Sequence, residues 1–82
     1  MGVKEIRDEF NQTLGSAANC VKALMDYKRQ GGVEYQILFF SGNWSDGSEF
    51  VIKSDLIRPS GDLLTASRET ALALLNQRKP AT

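Results

Sequence analysis

Val33-Glu34-Tyr35-Gln36-Ile37-Leu38-Phe39-Phe40-Ser41, then Gly42-Asn43-Trp44-Ser45-Asp46-Gly47-Ser48, then Glu49-Phe50-Val51-Ile52-Lys53-Ser54-Asp55, is the stretch on which the fold turns. Its first and third parts are rich in β-branched and aromatic side chains, which suit a pleated surface. Asp46-Gly47 between them is a preferred pair for a tight turn, because both residues tolerate the positive φ that such a turn demands. Residues 33–55 therefore read as an antiparallel β-hairpin.

With Asp46-Gly47 as a two-residue loop, Ser45 pairs with Ser48 and the faces follow. Val33, Tyr35, Ile37 and Phe39 share one face with Phe50, Ile52 and Leu56, and this wholly apolar face is the expected core. The other face carries Gln36, Leu38, Phe40 and Trp44 against Glu49, Val51 and Lys53, and it is half apolar. A surface meant only for water is not built this way. Trp44, Phe40, Leu38 and Val51 are therefore the expected partner-binding residues, with Trp44, the sole tryptophan, as anchor. Burial of these residues under the chain's own helices is the competing reading. A slip of one residue in the pairing would exchange the faces of one strand.

Upstream, Val3, Ile6, Phe10, Leu14, Ala17, Val21 and Leu24 recur at spacings of three and four, the period of a helical face. Gly31-Gly32 reads as the helical stop, after Lys28 and Arg29 in the last turn. Residues 3–30 are thus expected to be helical, either as one helix or as a helical hairpin, 3–14 and 16–30, broken at Gly15-Ser16. A single helix of this length would reach about 42 Å and overhang the domain, so its stripe would need another chain. A homodimer through the N-terminal helical region follows from that reading.

Downstream, Arg58-Pro59-Ser60-Gly61 is a turn, and residues 58–65 include a candidate short third strand at Asp62 to Leu64. The last helix is expected over 67–79, capped by Thr65 or Ser67 and ended by Pro80. The fold class is α+β: an N-terminal helix or helical hairpin, an antiparallel β-hairpin with an optional third strand, and a C-terminal helix, in one domain over residues 1–82. This order is similar to that of double-stranded-RNA-binding domains, and the similarity ends at topology. Ser67-Arg68-Glu69-Thr70-Ala71 has no lysine cluster of the kind that grips phosphates at the start of that helix.

Composition narrows the function. The net charge is zero, with ten basic and ten acidic residues, and the middle of the chain is acidic while the tail is basic. Non-specific nucleic-acid binding depends on many lysine and arginine contacts to phosphate, which this balance does not favour. The chain has no histidine and one cysteine, Cys20. Most catalytic triads, the commonest general base and a structural zinc site need more than that. Cys20 reads as a packed side chain on the helical stripe. Asp46 and Glu49 at the hairpin tip are too few to hold a divalent cation, and Gly31-Gly32 precedes a strand, the wrong context for a phosphate loop. No catalytic, metal or cofactor residues are therefore assigned.

The longest apolar run, Ile37 to Phe40, is far short of a membrane span. A single cysteine and a charged start fit a cytoplasmic protein. The expected function is a non-catalytic protein–protein interaction module, a regulator or inhibitor of a protein partner of the kind carried by phages and mobile elements. The alternative is a nucleic-acid-binding accessory protein using Lys28, Arg29, Arg58, Arg68, Arg78 and Lys79, provided that these converge on one face.

Overall fold

In a computed structural model that describes residues 2–54, 57–58 and 61–78, the chain runs α1 (Val3–Leu14), a 3-10 turn (Gly15–Ala17), β1 (Ala18–Gln30), β2 (Val33–Trp44), β3 (Glu49–Lys53) and α2 (Leu63–Arg78). The three strands form one antiparallel sheet in the order β1-β2-β3. The class is α+β, as the sequence indicates, but two of its parts differ from expectation.

The first difference is β1, where a helix was expected over residues 16–30. Gly31 and Gly32 adopt φ of 59° and 77°, the pair of positive values that a type I′ hairpin turn requires. They pair Gln30 with Val33 and bring residues 22–30 alongside 33–41. Gly31-Gly32 is thus a strand-to-strand turn and not a helical stop. Within β1, Ala23 and Met25 pack towards the core, while Lys22, Leu24, Asp26 and Lys28 lie exposed between and beyond them. That is the two-residue period of a strand. Val21 and Leu24, which fit the helical spacing, point to different sides. Cys20, expected to be buried, is exposed at a bulge with φ of 55°.

The second difference is the register of the β2–β3 hairpin. Gly47 N donates to Trp44 O at 2.9 Å and Trp44 N to Ser48 O at 2.7 Å, so the loop holds Ser45, Asp46 and Gly47, with Gly47 at φ 93°. Asp46 Oδ1 fixes it by accepting from the Ser48 amide at 2.9 Å and the Ser48 hydroxyl at 2.6 Å. This loop is one residue longer than expected and slips the pairing by one, giving Phe40↔Ile52 and Gly42↔Phe50. Leu38, Phe40 and Trp44 consequently join Phe50 and Ile52 on the inner face. Val33, Tyr35, Ile37 and Phe39, expected in the core, go to the outer one, where Ile37 is nevertheless buried.

Both helices pack on the inner side. Phe10 of α1 stacks on Phe40 with centroids 3.9 Å apart and planes within 5°, and the rings of Trp44 and Phe50 meet at 4.8 Å. Such ring pairs add about 0.5–1.5 kcal/mol beyond the area they bury. Gly42 is required here, since a Cβ at that position would lie 2.9 Å from the Phe50 ring. Ile6, Phe10 and Leu14 of α1 and Leu63, Ala71 and Leu74 of α2 complete the core. The apolar stripe of α1 is therefore buried within the chain, which removes the basis for a dimer through an N-terminal helical region.

The last helix begins earlier than expected. Asp62 Oδ1 accepts from the amides of Leu64 and Thr65, both at 3.1 Å, so Asp62 caps α2 and residues 63–64 are helical instead of forming a third strand. Ser67, expected as a cap, is buried and donates to the Ile6 carbonyl of α1 at 2.9 Å. The turn at Arg58–Gly61 is closed by Gly61 N donating to Arg58 O at 2.8 Å; Asp55, Leu56, Pro59, Ser60, Lys79 and Pro80 lie outside the described residues. The molecule measures 44 × 27 × 18 Å, with a radius of gyration of 13.2 Å, against about 12 Å for a compact chain of this length. The excess fits the β1–β2 hairpin, whose residues 26–34 are all exposed.

Candidate functional site: the open face of the sheet

Three of the four residues expected to bind a partner are interior. Leu38, Phe40 and Trp44 are 2%, 0% and 6% exposed, so the competing reading, burial under the helices, holds for them. Trp44 is enclosed by Phe50 and by the Arg78 guanidinium 4.4 Å above its ring. Arg78 in turn donates to Asp46 Oδ2 at 2.7 Å, tying the end of α2 to the β2–β3 loop. The hydrogen bonds from Ser48 and then Arg78 hold the Asp46 carboxyl well below its ordinary value, at about 2. Trp44 therefore closes the core and offers no accessible ring to a partner. Val51 alone of the four is open to solvent, at 81% exposure.

Val51 has other apolar neighbours than those expected. On the outer face, β1 contributes Lys22, Leu24, Asp26 and Lys28, β2 contributes Val33, Tyr35, Ile37, Phe39 and Ser41, and β3 contributes Val51 and Lys53. Leu24 pairs with Phe39, and Phe39 with Lys53, whose Nζ lies 5.9 Å from the Phe39 ring centre. Lys22 pairs with Ser41, and Ser41 with Val51. These rows border an open groove of about 390 Å³ lined by Lys22, Leu24, Phe39, Ser41 and Val51. Leu24 is 64% exposed at its edge. The helices cover the inner face and not this one, and although Ile37 is buried on it, the end around Leu24, Phe39 and Val51 stays open.

The sequence anticipated one buried and one open apolar face on the hairpin, and the one-residue slip exchanged the β2 residues between them. Leu24 and Phe39 were missed as surface residues for that reason, and because β1 was read as helix. The signal that could have found them is the run Lys22-Ala23-Leu24-Met25-Asp26-Tyr27-Lys28, where charge recurs at every second position except Leu24.

The cations proposed for nucleic-acid binding do not converge. Arg68 is ion-paired with Glu9 and Arg78 with Asp46, both on the helical side, while Arg29 faces Glu34 at 3.6 Å near the hairpin tip. Lys79 lies outside the described residues. Among the described residues no group of three histidine, cysteine or acidic side chains is placed to hold a metal ion, and no helix is long and apolar enough to cross a membrane. Comparison with known proteins gave no match to a family model, a curated protein or a solved structure.

Proposed function

We propose that this chain is a small non-catalytic protein–protein interaction module, a regulator or inhibitor of a protein partner, that docks through the open face of its sheet. The observation that carries this reading is the exposure of Leu24 and Val51 on either side of Phe39, on a face that neither helix covers. Single exposed apolar residues are ordinary, whereas contiguous ones with a polar rim mark docking surfaces. Lys22 and Lys53 border the patch, and Asp26 and Glu49 lie on the same face beside Leu24 and Val51. The partner that fits is a protein presenting apolar side chains flanked by charges of both signs.

The test uses Leu24→Asp/Val51→Asp, both at exposed positions, with circular dichroism to verify an unchanged fold. A partner recovered with the wild-type chain from its native host is expected to bind the double variant at least tenfold more weakly, a loss of about 1.4 kcal/mol. Equal affinity for the two proteins would remove the support for this surface.

A further inference from the structure

We propose that the free edge of β1 is a self-association surface, joining two copies of the chain through antiparallel β1–β1 pairing with its two-fold axis at Leu24. The proposal needs no particular occupant of the open face, although Leu24 belongs to both surfaces. β1 is an outer strand of the sheet, thirteen residues long, and no described element pairs with its far side. A long strand with one unpaired row of amides and carbonyls is a template for another strand.

The turn at Gly31-Gly32 determines which groups are free. In a two-residue hairpin the residues flanking the turn exchange both hydrogen bonds, and such pairs then alternate along the strands. Gln30, Lys28, Asp26, Leu24 and Lys22 thus face β2 with their backbone groups, and Ala23, Met25, Tyr27 and Arg29 face outwards. Tyr27 N fits this assignment, because it is satisfied by a local acceptor, Asp26 Oδ1 at 2.8 Å, and not by β2. A second β1 must align its own outward groups with these, which restricts the possible registers.

Side-chain charge selects among them. With the axis at Leu24, Lys22 of each copy lies opposite Asp26 of the other, so two opposite-charge pairs flank Leu24 against Leu24. Ala23 meets Met25 through paired backbone bonds, so the regular stretch from Lys22 to Asp26, which lies beyond the bulge at Asn19–Lys22, is matched about the axis. Moving the axis to Met25 sets Lys22 against Lys28, and moving it to Asp26 sets the two carboxylates against each other. An axis at Tyr27 pairs Asp26 with Lys28 but leaves Leu24 against Gln30 and needs the Tyr27 amide, which already donates to Asp26 Oδ1. Cross-strand opposite charges contribute about 0.2–1 kcal/mol each and like charges oppose pairing. Lysines and a bulge, the usual guards of a sheet edge, here leave one favoured register. The product is a six-stranded sheet with both open faces on one side and Leu24 at the seam.

Sedimentation equilibrium across a concentration series should show reversible conversion from 9.1 kDa to twice that mass. Lys22→Asp and Asp26→Lys alone should each weaken dimerisation several-fold, and the double exchange should restore it. In a Cys20→Ser background, Leu24→Cys should oxidise to a disulfide-linked dimer, because non-hydrogen-bonded antiparallel partners have Cα atoms about 4.5 Å apart, within bridging range. Lys28→Cys in the same background should not, being about 27 Å from its symmetry mate along the strands. A monomer at every concentration overturns the proposal. So does a dimer that is indifferent to the charge exchange and fails to cross-link at position 24.

Discussion

Phe40 and Val51 lie on opposite faces of neighbouring strands, and their energetic roles should be as different as their surroundings. Phe40 has no exposed surface and stacks on Phe10 of α1. Phe40→Ala removes that stack and leaves a cavity that the packed helix cannot fill, with an expected cost of about 3–5 kcal/mol. Val51 is 81% exposed, so Val51→Ala should change stability by no more than about 0.5 kcal/mol. Urea unfolding of both variants, followed through Trp44 fluorescence, measures the contrast. Similar losses for the two would mean that the hairpin register is not the one described. The comparison matters for function because Val51 is then a residue whose replacement reports on binding alone, while the same experiment at Phe40 would confuse binding with folding.

At the scale of the element, the turn at Gly31-Gly32 decides whether residues 18–30 form a strand. A Cβ at either glycine would meet nothing within 4 Å, so any cost of substitution comes from the backbone conformation and not from crowding. Gly32, at φ 77°, should lose about 1–2 kcal/mol on change to Ala. Gly31→Asn, at φ 59°, should be nearly neutral, since asparagine tolerates this region. Denaturation midpoints and the cross-strand contact between Lys28 and Tyr35 by NMR test the pair. A Gly32→Ala variant as stable as wild type would contradict the type I′ geometry. These same residues show what could be read from the sequence. The β2–β3 hairpin was legible, because Ile37 to Phe40 and Phe50 to Ile52 admit little else. Its register was not, because Asp46-Gly47 fits loops of two or three residues, and the choice rests on Ser48 bonding back to Asp46. For β1, Val21 and Leu24 satisfy helical spacing while the charges satisfy strand alternation, and only pairing with β2 resolves the conflict. The partner-binding residues inherited both errors, which is why Val51 alone among them remains on the surface.

For the whole molecule, carboxylates fix both ends of α2, Asp62 by a local cap and Asp46 through a long-range contact with Arg78. Asp62 caps its first turn, and hydrogen bonds, chiefly from Thr65, lower its pKa. Asp46 grips Arg78 at the last turn, with its pKa lowered to about 2. In both cases the folded carboxyl holds its proton less tightly than the unfolded one. The stabilisation is therefore complete above about pH 4, the unfolded value, and is lost as pH falls through the lower folded values. Both groups are exposed, so the energy is small and sensitive to salt, but the two losses fall on one helix in one pH window. Acid should accordingly loosen α2 before it disrupts the hairpin. Trp44 reports this directly, since Arg78 covers its ring: its fluorescence should titrate between about pH 4 and pH 2 while the far-ultraviolet β signal persists. Asp46→Asn should remove most of that titration and raise amide exchange near Arg78 already at neutral pH. A fluorescence change with the same midpoint in Asp46→Asn would show that the Asp46–Arg78 contact does not hold the end of α2, and that the hydrophobic contacts of Leu63, Ala71 and Leu74 alone fix the helical layer.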